Sequence, residues 1–311
     1  MAPRGASVVP AVRLKQRIDW GDHVNHFLTT VGKAISKLNP NEVRTRSERP
    51  VHIGLAAVHE FRQAEMRRFL LADSMTKDRM LQSAEHLHQI SPEVTIPQFD
   101  IDLWEEGIPR PKHGFTFYPS NPQRTVEQIL EQKEDLGLAL ARQFPAFRPA
   151  VVEKIILGIC QENAMFAAAT SLPGMIPGVA LPLAVGEFAS DTAFLTMNQM
   201  RMAFMLAGAS DRHIGYREQK SEIASVIAGA FGWRAVAREC VGKIPFGGGI
   251  IPKAAIAYAA TWVVGKSLER LYSIGYGYTR SERHKVYDVG FERGKQVAAK
   301  FLEKARGKAA S

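Results

Sequence analysis

Cysteine is nearly absent: Cys160 and Cys240 are the two in a chain of 311 residues. Two thiols support neither a disulfide framework nor a thiolate zinc site. Both fall in apolar stretches, where a free Cys behaves as a small buried hydrophobe, and this fits a reducing compartment. No signal peptide is expected, because MAPRGASVVPAVRLKQ lacks a long apolar core and a cleavage site. Contact with a membrane is therefore expected at the cytoplasmic face of the cell membrane. Phosphate loops are lacking too. Gly32-Lys33 has Phe27 where the leading Gly belongs, and Gly265-Lys266-Ser267 has Ala260 there. Gln132-Lys133-Glu134-Asp135 imitates a guanine-specificity motif, but with Gln for Asn and inside a helix-like run. Asp22-His23-x-x-His26 lacks a third ligand, and His59-Glu60 lacks the second His of a zincin. In His86-Leu-His88 the rings would point apart on a helix. No nucleophile, base and orienter occur together, and no carboxylate pair stands out. The expectation is no catalytic, cofactor-binding or metal-ligating residue, and no enzyme.

Charge is the next scarcity, and it is local. From Asn163 to Gly186 no residue can carry a charge, and Glu187, Asp191 and Arg201 follow singly. Such a run is long enough for a membrane-crossing helix of roughly 20 residues. Pro173, Pro177 and Pro182 argue against one straight helix. The parse is a helix from Val151 to Thr170, a bend at SLPGMIPG, and a second helix to about Ala207. Glu187 and Asp191 then mark where the apolar span stops, or acids of function if it crosses a bilayer.

What is present includes an echo of that bend. Gly249-Ile-Ile-Pro252 answers Gly174-Met-Ile-Pro177. Glu222 to Cys240 supplies an apolar helix before it, and KAAIAYAATWVVGKSLERLY another after it. The reading is two helical hairpins, a weak internal repeat. Their structural bends fall at Pro173, Gly174, Pro177 and Gly178, and at Pro245, Gly247, Gly248, Gly249 and Pro252. Ala257, Thr261 and Gly265, four apart, give a small-residue face for close helix packing.

These motifs carry a resemblance. An apolar helix with a Pro-Gly bend, then Ile-Pro-x-Gly-Gly-Gly-Ile-Ile-Pro, an Ala-rich run and Thr261-x-x-x-Gly265 resembles the YcjF-like domain-of-unknown-function family 697. It covers roughly Val151 to Ala298, about half the chain. It implies membrane association and a companion small GTPase, and it brings no active site.

The rest of the chain is read as follows. Val8 to Leu38 is an amphipathic helix whose stripe runs from Trp20 through Phe27 and Val31 to Leu38. It packs on the core or lies in a membrane interface. Asn39 to Arg49 is a polar, basic linker. Strand (Pro50–Ala56), helix (Val58–Leu71), helix (Lys77–Ile90) and strand (Gln98–Trp104) make a small α/β unit. Ala-Ala-Val-His-Glu after its first strand offers no glycine for phosphate. Glu105 to Gln123 is a loop or edge, Arg124 to Gln143 a charged helix, and Phe144 to Pro149 the boundary. Tyr272, Tyr276 and Tyr278 suit a membrane interface or the edge of a core alike. Arg280 to Lys308 is a basic amphipathic helix with Val286, Val289, Phe291, Val297 and Phe301 on its apolar side.

The fold class expected is mainly α: a helical domain of two Pro/Gly-bent apolar hairpins preceded by a small α/β unit. Its segments are 1–49 (helix and linker), 50–149 (α/β unit with charged helix) and 150–311 (hairpins with basic tail). The formal charge of +9 is placed at the ends. Residues 1–50 hold nine Lys/Arg against four Asp/Glu, residues 280–311 again nine against four, and the middle is near neutral. Such ends suit an anionic membrane surface. Nucleic acid is not expected, for want of aromatic interleaving or a recognition motif. The leading expectation is a non-enzymatic, membrane-associated binding or scaffold protein, partnered by a small GTPase or by itself. Two alternatives are a soluble all-helical adaptor and an enzyme or nucleotide switch with a non-standard site.

Overall fold

Four short parallel strands open the fold: β1 (Ile53–Ala56), β2 (Leu87–Ile90), β3 (Ile101–Glu105) and β4 (Phe115–Phe117). Their spatial order is β2-β1-β3-β4, with Ile53 opposite both Leu87 and Ile101, and Leu103 opposite Phe115. The computed structural model describes residues 38–93, 95–171, 191–226 and 250–309. The N-terminal amphipathic helix and the bends Pro173, Gly174, Pro177, Gly178, Pro245, Gly247, Gly248 and Gly249 lie outside the described residues. So do Glu187, Cys240 and the histidines His23 and His26.

Helices supply most of the remainder: α1 (Pro40–Glu48), α2 (Glu60–Leu70), α3 (Lys77–Ala84), α4 (Pro122–Gln132), α5 (Gly137–Gln143), α6 (Arg148–Ala169), α7 (Asp191–Ala209), α8 (Ile250–Ile274) and α9 (Arg280–Ala309). The protein is thus mainly helical with a small parallel sheet, the coarse form of the expected class. Several local expectations are corrected. Residues 39–49 are a helix instead of a linker, because the Asn39 side chain accepts from the Asn41 amide at 3.1 Å and Pro40 suits the first turn. Its buried Ser47 then anchors it. The second helix of the α/β unit stops at Ala84, and Leu87–Ile90 is a strand whose two apolar ends are buried. Of the loop or edge expected after β3, the edge is realised as β4, the outermost strand on that side of the sheet, while the single charged helix is broken into α4, a 3-10 turn at Glu134–Leu136 and α5.

One face of the sheet carries Ile53, Leu55, Leu87, Leu103 and Phe117 into a core that continues without a break through Leu140, Phe144 and Phe147 to Ile156, Met202 and Tyr258. The other face, Ala56, Ile90 and Trp104, is covered by the loop residues Phe99 and Ile108. In the helical half α8 is the central element. Residues 254 to 263 are all buried, so every side of this helix has a neighbour. Pro252 sits in its first turn, where a missing amide costs little.

A buried polar layer crosses α6, α7 and α8. Asn198 donates to Asn163 Oδ1 at 2.8 Å, Asn163 donates to Thr261 Oγ1 at 2.8 Å, and Thr261 donates to the Ala257 carbonyl at 2.8 Å. Each partner satisfies the next, so the layer is tolerated in an apolar interior and fixes the helices in one register. One turn on, a Cβ at Gly265 would lie 2.9 Å from Ile156 Cγ2 and 3.2 Å from Met202 Sδ. Three residues of the expected apolar stripe of the last helix, Val286, Val297 and Phe301, pack against the core, and glycines make its closest approach. Gly290, Gly294 and Ala298 of α9 lie against α8, where a Cβ at Gly294 would be 2.8 Å from the Ala255 Cα, while Val289 is exposed.

Gly265→Leu should lower stability by about 1–3 kcal/mol through overpacking. Gly277→Leu should leave it nearly unchanged, since no atom lies within 4 Å of a Cβ there. Urea unfolding of both variants checks this, and equal midpoints would refute the close approach of α8 to α6.

Candidate functional site

In an open parallel sheet, ligands bind beyond the carboxyl ends of strands where the order of connections reverses. Here that point lies between β1, which leads to β2 on one side, and β3, which leads to β4 on the other. The loop after β1 presents the Val58 and His59 amides at the start of α2, as a phosphate site would. They are already taken. Glu105, the last residue of β3, accepts from the Val58 amide at 3.0 Å and the His59 amide at 3.4 Å through Oε2. Its Oε1 lies 2.7 Å from His59 Nδ1 and 3.9 Å from the Arg62 guanidinium.

Glu105 is buried while His59 is largely exposed. Burial alone would push the carboxyl up. The hydrogen bonds from His59 and from the two amides outweigh it and hold Glu105 below the usual carboxylate range. The protein's own carboxylate therefore sits where a ligand's phosphate would be bound. With Nδ1 engaged, the His59 ring turns Nε2 outward as a possible base. Among the described residues, its side chain bonds to no hydroxyl or thiol, so the pair lacks a nucleophile.

A second cluster forms at the opposite ends of the strands. His52 Nδ1 and His88 Nε2 are 2.9 Å apart and share one proton, and His86 meets His52 edge-on at 4.8 Å. His88 also stacks on Phe99 at 4.3 Å. Burial, followed by the neighbouring His52, lowers the basicity of both His86 and His88. His86 and His88 were expected to point apart on a helix; they lead into and belong to β2, and His52 from the β1 side joins them. Among the described residues no three His, Cys, Asp or Glu side chains are grouped to hold a metal.

His86 also lines a cavity of about 330 Å³ with Ser47, Arg79, Gln82, Arg142 and Gln143. Its arginines are committed elsewhere. Arg79 grips Asp211 with two contacts of 2.7 Å, and Arg142 donates to the Arg212 carbonyl at 2.9 Å. Arg148 donates to the Ala209 and Ala141 carbonyls at 2.9 and 3.2 Å. These guanidiniums neutralise the carbonyl ends of α5 and α7, which accounts for their crowding without a ligand.

The residues singled out in the sequence fall as follows. Ala257, Thr261 and Gly265 lie in α8, the last two against α6. Lys266 and Ser267 continue the same helix, so no phosphate loop forms there. Lys266 reaches Glu153 at 3.2 Å. Cys160 is fully buried, and burial raises its thiol well above the ordinary value. Tyr272 is bonded to Gln219 at 3.0 Å and packs on the core, while Tyr276 is exposed. Glu105 and His52 escaped the sequence reading because their partners are distant along the chain; an acid closing a strand that reads IDLWE was the available hint.

No family model matches the chain, no curated protein is significantly similar to it, and no solved structure matches it.

Two outcomes follow from the charges. Glu105→Gln should cost about 1.5–3 kcal/mol at neutral pH, the range for hydrogen bonds to a charged group. Because the folded value is depressed, that contribution is present above the ordinary carboxyl value of 4.5 and disappears as pH falls through the lower folded value. Urea midpoints of parent and variant should therefore converge in acid. For the histidines the sign is the same, since a lowered folded value means that the unfolded chain binds more protons. Stability should fall as pH drops below 6.5, the ordinary value for His86 and His88. His88→Asn should flatten that fall in a pH series of urea midpoints, and an unchanged slope would dismiss the cluster as its source.

Proposed function

We propose that this chain is a non-enzymatic, membrane-associated binding protein, attached peripherally, whose α/β unit is a closed platform and not a nucleotide switch. The observation that carries this reading is Glu105. A carboxylate held by two backbone amides, an imidazole and a nearby guanidinium fills the place where phosphate chemistry would occur. Displacing it would leave a buried acid without its donors. Among the described residues no helix is long and apolar enough to cross a membrane. The surplus of basic residues at the two chain ends supports attachment by charge. The motifs resembling the YcjF-like family support a small GTPase as the partner.

The burial of α8 on every side favours a second reading, a soluble helical adaptor whose helices satisfy one another. Fractionation of the native protein with a salt wash separates the two. Membrane-bound protein released by salt supports the first, and protein found wholly in the soluble fraction supports the second.

Calorimetry with magnesium and GTP or ATP should give no saturable heat in the micromolar range. A clear micromolar isotherm would overturn the closed-platform reading. Co-sedimentation with anionic vesicles should weaken as salt rises, because exposed charges are screened over about 8–10 Å at physiological ionic strength.

A further inference from the structure

The turn between α8 and α9 places two large apolar side chains in water. Ile274 is 51% exposed and Tyr276 59% exposed. They are not loosely tethered. Gly275, with φ +86°, ends α8 in the left-handed conformation and donates its amide to the Leu271 carbonyl at 2.9 Å. Thr279 and Glu282 then form a reciprocal cap on α9, at 2.8 and 3.3 Å. Arg270 stacks over the rings of Tyr276 and Tyr278 and pairs with Glu282 at 2.9 Å. A fixed turn therefore holds apolar groups outward at no contact with the core.

Its surroundings are basic. Residues 270–285 hold four Lys/Arg against one Asp/Glu, and Arg280 and Arg283 are exposed. The adjoining loop, residues 210–219, holds two Lys/Arg against two Asp/Glu, so the positive excess lies on the turn itself. This loop is joined to the same end of α8, since Arg212 donates to the Tyr272 carbonyl at 3.1 Å and Gln219 to the Tyr272 hydroxyl at 3.0 Å. The N-terminal segment arrives here as well. Tyr216 donates to the Leu38 carbonyl at 2.9 Å, and Leu38 packs with Tyr272 on Phe204, Ala207 and Ile214. The basic C-terminal stretch runs the other way along α8, where Gly294 meets Ala255.

We infer that the α8–α9 turn, with the neighbouring loop, is the face that docks on an anionic lipid surface. The occupant follows from chemistry: exposed Ile and Tyr suit the headgroup boundary, and an excess of Arg and Lys around them matches acidic headgroups. This inference rests on the membrane reading above and adds which face makes the contact.

The test uses the full chain and phosphatidylcholine vesicles with or without phosphatidylserine at low salt. The parent should pellet with the anionic vesicles only. Arg280→Glu with Arg283→Glu should weaken that binding at least about tenfold, at roughly 1 kcal/mol per basic residue near the surface. Ile274→Ser with Tyr276→Ser should weaken it as well, while Leu81→Ser with Ile96→Ser, two exposed apolar residues of the α/β unit, should bind like the parent. A second readout avoids any question of folding: the indole introduced by Tyr276→Trp should shift its emission to the blue when anionic vesicles are added. If the parent does not pellet with anionic vesicles, the membrane reading fails and this face with it. If the parent pellets but the turn variants bind equally well and the emission does not move, the face is wrong and the membrane reading stands.

Discussion

Helices α5 and α7 end beside one another at the seam between sheet and bundle, where Arg148 donates to a carbonyl of each. Arg142 donates to the Arg212 carbonyl beside them, and Asp211 sits among the guanidiniums as their acid. Asp211 takes φ +55°, a conformation that non-glycine residues adopt at some cost and that Asp tolerates better than most. The bend it makes turns the chain from α7 toward the Tyr272 end of α8, while its carboxylate reaches Arg79 on α3. One residue thus ties the α/β unit, the end of α7 and the cationic cluster together. Truncating either partner would strand charge or carbonyl groups in poor solvation, which is costlier than losing a surface pair.

Much of the helical half was legible in the sequence, because long uncharged runs leave few alternatives to buried helices. The same rule hid smaller features. Pro40–Glu48 is too polar to betray itself by periodicity, and its helix depends on a cap and one buried serine. Leu87–Ile90 is too short to separate from the helix before it by pattern, and only pairing with β1 decides it. The docking face of α9 was legible in part: Val286, Val297 and Phe301 pack on the core, as their spacing implies, whereas the close contact at Gly290 and Gly294 was not read. Of the site, the absence of a glycine loop after β1 was readable. The acid that replaces a ligand was not, since Glu105 and His59 meet only once β1 and β3 are adjacent.

The two ends of the sheet show how similar residues acquire different roles from their surroundings. At the carboxyl end, His59 is in water and takes its orientation from a buried carboxylate. At the amino end, His52, His86 and His88 face one another, and burial followed by the neighbouring His52 lowers the basicity of His86 and His88. The same side chain is thus a fixed surface donor in one place and a reluctant base in the other.

The glycine contacts of α9 have a mechanical meaning. Gly290 and Gly294 bring one helix backbone against another, and dispersion at such range falls away within an ångström of separation. A long side chain at such a seam can follow its neighbour through small movements, but a bare backbone cannot. Widening the α8–α9 seam therefore forfeits contact over a short distance, and neither glycine has a side chain with which to restore it. Trp262 and Tyr258 rest directly on those two glycines, so both lose cover from the same movement.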